Sequence, residues 1–234
     1  MEKLNEWFKS KFKTINIGKL SLVVTLVAII FAAVFGLITR NSYKTFDSYD
    51  EAIVETTDNE FTIDYISYKK VKKQLDEMSY AFVIEVQKTQ QTYQSTKTYG
   101  TVKEVIKGDE SYKGQNIAIY EPCFMSYYDQ IQGLYFRSMN GFSIPMQTGK
   151  TYLVFAEKID YASQYAQTIE CDEFKVDWDY FLYSFPLETE IESITYKDGL
   201  TFGEIKDKSY ICYTEQDAEK LEKIKNKVLK EYID

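Results

Sequence analysis

Along the chain, the spacing of hydrophobic and polar positions changes period several times. From Leu20 to Thr39 the run LSLVVTLVAIIFAAVFGLIT holds no charged residue and no proline. As a helix it spans roughly 30 Å, the thickness of a bilayer's hydrocarbon core. A soluble core helix keeps a polar face, which this run lacks. A cleaved signal peptide has a shorter apolar region, about 7–15 residues, with small residues at the cleavage site. Here Phe31 and Phe35 interrupt the small residues Ala32, Ala33 and Gly36. The length therefore favours an uncleaved transmembrane anchor. Ahead of it, Leu4, Trp7, Phe8, Phe12 and Ile15 recur at helical spacing, with Lys3, Lys9 and Lys13 mostly on other faces. That pattern suits an amphipathic helix at the inner interface, the alternative being an unstructured tail whose lysines only set topology.

After a polar neck, residues 67–78 (SYKKVKKQLDEM) place Val71, Leu75 and Met78 on one helical stripe. The period then shortens. Residues 80–88 are rich in aromatic and β-branched side chains, and 98–109 alternate Val102, Val105 and Ile106 with polar residues before a turn at Gly108-Asp109. Residues 115–122 put Ile117 and Ile119 on one face and stop at Pro122. Residues 148–158 and 178–185 are further strand candidates, with weaker ones in 188–202 and 209–213. A last helix follows Thr214, whose cap can be returned by Asp217, and carries Leu221, Ile224, Val228, Leu229 and Tyr232 as its apolar stripe. The predicted organisation is a tail (1–19), a transmembrane helix (20–39), a neck (40–66), a mainly β barrel domain with a short helix at its entry (67–213), and a C-terminal amphipathic helix (214–234).

Charge orients this plan. Residues 1–19 carry five lysines, whereas 40–54 carry Arg40 and Lys44, so the N-terminus is expected in the cytoplasm and the C-terminal domain outside. Residues 1–40 hold six Lys+Arg and two Asp+Glu, a net +4; the whole chain is −8, which leaves −12 for residues 41–234. So acidic a domain argues against nucleic-acid binding. The composition, low in cysteine and high in Lys, Tyr and Ile, resembles that of bacterial surface proteins.

With no histidine in the chain, Ser-His-Asp and Cys-His catalysis, HExxH sites and His-ligated zinc are excluded within one polypeptide. Two S-x-x-K matches, Ser10/Lys13 and Ser67/Lys70, are what chance supplies in a lysine-rich chain, and neither has the accompanying S-D-N or K-T-G elements. A carboxylate pair remains, with Asp177 and Asp179 on one strand face within the acidic cluster Glu170, Asp172, Glu173, Asp177 and Asp179. No cofactor or metal motif is present; the D-x-D-x-D-G calcium loop is missing. Of Cys123, Cys171 and Cys212, at most one pair can bridge within a monomer, and spacing does not choose it.

Residues 98–158 carry a resemblance. TVKEVIKGD, YKGQNIAIYEP and MQTGKTYLVFAEK, through Val102, Val105, Lys107, Gly108, Gly114, Ile117, Ile119, Gly149, Lys150, Tyr152, Leu153, Val154 and Phe155, are similar to the netrin-like domains, which include tissue inhibitors of metalloproteinases. The resemblance implies an OB-like β-barrel and no function. Those inhibitors chelate zinc through an N-terminal cysteine, and this chain has none before Cys123.

Between the third and fourth predicted strands lies the segment 120–146, read as a long loop with Tyr127, Tyr128, Tyr135, Phe136, Arg137, Met139 and Phe142. Aromatics, Met and Arg favour protein contacts. The leading expectation is a membrane-anchored, non-enzymatic binding or assembly module acting on an envelope protein through this loop or a sheet edge. A carboxylate-based envelope hydrolase and a barrel holding a small apolar ligand are the alternatives.

Overall fold

An apolar run with nothing to interrupt its backbone hydrogen bonds forms a helix along its length: α1 covers Ile17–Ser42. The computed structural model describes residues 17–42, 49–55, 66–92, 94–128, 133–141, 143–161, 170–177, 182–187 and 193–233. The expected tail helix, most of the neck, and the strand positions expected at 178–181 and 188–192 lie outside these residues. Within α1, Leu20–Ile38 has a mean hydropathy of 2.8 and is long and apolar enough to cross a membrane. The chain divides into two units, residues 1–47 and 48–234.

In the second unit the alternating segments form a mainly β fold. β2 (Tyr80–Thr92) and β3 (Ser95–Lys107) pair antiparallel from Ala81↔Lys107 to Thr92↔Ser95. Register shifts between Ala81/Phe82, Val83/Ile84 and Val86/Lys88 bend this long ribbon, as bulges do. Gly108, just beyond β3, adopts φ +110 beneath the Tyr80 ring, where a Cβ would lie 2.4 Å from a ring carbon. Only glycine fits both demands. β4 (Asn116–Glu121) runs antiparallel to β3, and β8 (Asp172–Lys175) lies parallel to β4. β7 (Thr151–Lys158) pairs antiparallel with β2 from Tyr80↔Ala156 to Glu85↔Thr151. It meets β8 at Glu157↔Lys175 and Lys158↔Phe174, and just beyond it the Ile159 N–H donates to the Glu173 carbonyl at 2.9 Å. The strands therefore form the ring β2-β3-β4-β8-β7-β2, with a short seam between β7 and β8. β9 (Ser184–Pro186) lengthens the sheet along β7.

Side chains fill the ring. Phe82, Ile84, Val102, Ile117, Ile119, Val154 and Phe174 are buried in its core. Tyr80, Phe82, Tyr112 and Phe174 meet in edge and stacked geometries with centroids 5.2–5.9 Å apart.

The entry helix is α2 (Tyr68–Glu77), with Val71 and Leu75 in the core. Ser67 caps it, accepting from the Lys70 N–H at 3.4 Å, which accounts for the Ser67/Lys70 match structurally. A short helix, α3, covers Phe202–Ile205. The last helix, α4 (Glu215–Tyr232), starts with the expected reciprocal cap: Thr214 N–H donates to Asp217 at 2.9 Å, and Asp217 N–H donates to Thr214 Oγ1 at 3.2 Å. Leu221, Ile224 and Val228 bury one face, and Tyr232 packs edge-on to Phe155 at 5.0 Å. Lys72–Glu231 (2.5 Å) and Tyr232–Asp76 (2.5 Å) tie α2 to α4.

The expected long loop at 120–146 is instead a hairpin. β5 (Cys123–Tyr128) and β6 (Gly133–Ser138) pair antiparallel, and the short strand β1 (Ile53–Glu55) adds parallel to β6. Separately, β10 (Ser193–Thr195) pairs parallel with β11 (Tyr210–Cys212).

Candidate functional site

Strand alternation sorts the chemistry of β3, β4 and β8 onto two faces. Thr96, Thr98, Ile117, Ile119, Glu121 and Phe174 point inward and are buried. Lys97, Tyr99, Thr101, Asn116, Ala118, Tyr120, Glu173 and Lys175 share the outer face. Register sets them in rows: Thr101 beside Asn116, then Tyr99-Ala118-Glu173, then Lys97-Tyr120-Lys175. The small Ala118 sits at the centre. Although it faces outward it is 0% exposed, covered by its longer neighbours.

Those neighbours are bonded to one another. Lys97 Nζ makes an ion pair with Glu173 Oε1, their side chains 15% and 7% exposed. Glu173 Oε2 accepts from the hydroxyls of Tyr161 and Tyr120, the latter at 3.2 Å. Lys97 Nζ also lies 5.1 Å from the ring centres of both Tyr99 and Tyr120, and Lys88 caps Tyr99 at 4.2 Å. Burial alone would raise the Glu173 carboxyl, but the bonds from Lys97 and Tyr161 outweigh it and hold the group below its usual range. For Lys97, burial pulls downward, and the bonds to Glu173, Tyr120 and Tyr99 carry it upward. Both therefore stay charged at neutral pH. Along the same face, Gln87 Nε2 donates to Thr101 Oγ1 (2.6 Å), which donates to Asn116 Oδ1 (2.8 Å). An open cleft lined by Lys158, Asp160, Tyr161, Asp172 and Glu173 borders this platform.

Behind the platform, on the inward side, lies a second polar group. The fully buried Glu121 accepts from the Thr98 hydroxyl, from Tyr183 OH at 2.9 Å, and from the Met146 N–H at 3.1 and 3.2 Å to its two oxygens. Burial pushes its carboxyl up to about 7, even against these donors. Burial and the nearby Glu121 charge also raise the Cys123 thiol and the Tyr183 hydroxyl. Buried and saturated with donors, Glu121 ties β3, β4, the 143–147 segment and Tyr183 together rather than meeting a ligand.

The residues expected to make protein contacts are dispersed by the hairpin. Phe136 is 0% exposed and packs on Phe202 at 4.9 Å, so it is a core residue. Arg137 is half-buried and pairs with Glu55 across β6 and β1, its Nε and Nη2 at 2.8 and 2.7 Å from Oε2. Tyr127 is 39% exposed, while Tyr135 and Met139 are half-buried. Tyr128 ends β5 opposite Gly133. Phe142 lies outside the described residues.

Of the expected carboxylate pair, only Asp177 falls among the described residues. Asp177 follows β8 and pairs with Lys175 at 3.2 Å; Asp179 lies outside the described residues. Asp172 pairs with Lys158 at 3.2 Å. Among the described residues, no cluster of three or more Cys, Asp or Glu side chains is placed to hold a metal. Cys123, Cys171 and Cys212 are all free thiols, Cys123 and Cys212 buried on separate sheets.

Sequence reasoning missed the platform. Its visible signal was the outward Lys and Tyr positions of TKTY (96–99) and IAIY (117–120), which alternate with core residues. Its hidden half was Glu173, on a strand too short and acidic to read as one. Comparison with known proteins found no matching family model and no matching curated sequence.

Proposed function

We propose that this chain is a single-pass membrane protein whose C-terminal unit is an OB-type barrel outside the membrane. It works as a non-catalytic binding module for a component of the cell envelope. The anchor reading rests on the apolar span and the outward orientation on the lysines of residues 1–19. The OB-type reading rests on strand order. A five-membered ring in which β4 and β8 are parallel and the other pairs antiparallel supports a Greek-key barrel of that kind. Such barrels carry ligands on the face of their second and third strands and on the neighbouring loops. Here those strands are β3 and β4.

The observation that carries the reading is the ring of Tyr99, Tyr120 and Tyr161 prebuilt around the Lys97–Glu173 pair on that face. Polar groups fixed before binding lower the entropy lost when a ligand docks. The carboxylate-hydrolase alternative has less support, because Asp172, Glu173 and Asp177 are each engaged with a lysine.

Site-specific photocrosslinking tests the reading. A photoreactive side chain placed at Tyr120 or Tyr161 of the full chain in intact cells is expected to yield a discrete adduct. The same group at Lys69, exposed on α2, should yield none. Equal adducts from all three positions, or none at the platform, would overturn the reading.

A further inference from the structure

We infer that the ligand of the β3-β4-β8 face is an uncharged, hydroxyl-rich glycan; this rests on the binding-face reading above. Charge is the first argument. Lys97 is neutralised by Glu173, Lys175 by Asp177 at 3.2 Å, and Lys103 by Glu85. Apart from Lys88, which caps Tyr99, the cations named on this face are paired and offer little to a polyanion, and the −12 carried by residues 41–234 repels one. An unpaired cationic ligand would compete with Lys97 for a carboxylate whose second oxygen already holds two tyrosine hydroxyls.

The neutral chemistry of the face is the second argument. Exposed Gln87 and Asn116 and half-buried Thr101 form a row of amide and hydroxyl groups, which both donate and accept, as sugar hydroxyls do. Beside that row stand the tyrosines. Tyr120 and Tyr161 have their hydroxyls tied to Glu173, which fixes the rings; Tyr161 remains 38% exposed. A ring held in place presents a flat, weakly polar surface on which the C–H face of a pyranose can lie. Lys88, exposed and capping Tyr99, is free to swing aside because its stem is flexible.

Shape is the third. From the Thr101–Asn116 row to the Lys97–Tyr120 row is four residues along β3, roughly 13 Å of sheet. The bordering cleft is open rather than enclosed. Such a strip suits a short stretch of an extended polymer lying flat, and a small apolar molecule finds no enclosed wall there.

The test is isothermal titration of the full chain in a zwitterionic amine-oxide detergent, since maltoside detergents carry sugar headgroups. The probes are chitohexaose and cellohexaose, with oligo-thymidylate and a proline-rich peptide beside them. One of the two glycans is expected to saturate the protein, while oligo-thymidylate and the peptide do not. Tyr161→Ala, outside any strand, and Tyr120→Ala should each weaken glycan binding at least tenfold, in variants whose melts show them folded at the titration temperature. If neither glycan binds, or if the peptide or oligo-thymidylate binds instead, the inference is overturned. The binding-face reading then still stands if Tyr120 and Tyr161 crosslink. If a glycan binds but both tyrosine variants bind it equally well, its site lies elsewhere and the inference falls, while the crosslinks still decide the binding-face reading.

Discussion

Glu121 shows most clearly what a single side chain contributes. Its carboxyl is pushed up to about 7 in the folded chain, against 4.5 in an unfolded one. Between those values the folded state holds a proton that the unfolded state has lost, so stability falls as pH rises. The contribution is fully present below about pH 4.5, is lost through about pH 7, and amounts to about 3 kcal/mol. Groups with the opposite sign, such as Glu173, Asp76 and Glu231, are held low and act as the pH falls below the ordinary carboxylate range. The window from pH 5 to 8 therefore isolates Glu121, with Tyr152, Tyr183 and Cys123 facing it, all pushed upward and neutral there. Thermal melts at pH 5 and pH 8 are expected to show a clear drop in the wild-type midpoint and a much smaller one in Glu121→Gln. Equal drops would mean the carboxyl titrates normally. Glu121 was legible in the sequence only as an acid in register with Ile117 and Ile119. What saturates it, from Thr98 to Tyr183, comes from positions that only the closed ring brings together.

Among the elements, legibility followed periodicity. α2 and α4 carry clean apolar stripes, and β2, β3, β4 and β7 alternate or run apolar, so each was readable to within a few residues. The β5-β6 hairpin was not. Aromatics stand on both of its faces, with Leu134, Phe136 and Ser138 buried between half-buried Tyr135 and Arg137, so the period-two signal is masked. β8 was hidden for another reason. DEFK is short, holds a single apolar residue, and is stabilised by parallel pairing with β4, more than 50 residues away. The hairpin makes a sharp prediction. Phe136→Ala should cost about 3–5 kcal/mol, because it empties a fully buried ring site against Phe202. Tyr127→Ala, at an exposed position on the same hairpin, should cost about 1 kcal/mol or less. Denaturant melts decide it: similar losses for the two would return Phe136 to the surface. At the other end of the domain, Thr214→Ala removes one half of the α4 capping box and should cost about 1 kcal/mol. An unchanged melt would show that the cap adds nothing to a helix already held by packing.

At the scale of the molecule, a ring of strands closed firmly along β2-β3 and lightly along β7-β8 puts its polar, tyrosine-rich strip on the outer face of β3, β4 and β8. The apolar span was legible at once, since 20 residues without a charge or a proline leave no polar face. The strip was not, because it exists only when β8 supplies Glu173 to Lys97. The central claim is that this strip faces outward and is occupied in the cell. Membrane-impermeant maleimide labelling of introduced thiols tests both halves together. Lys88→Cys lies on the strip over Tyr99, and Lys69→Cys lies away from it on α2; both side chains are exposed. In the purified full chain the two should label at similar rates. On intact cells the account predicts that Lys69→Cys labels at its purified rate while Lys88→Cys labels several-fold more slowly, shielded by bound ligand. No labelling of either on intact cells would contradict the outward orientation, and equal labelling of both would contradict the binding face.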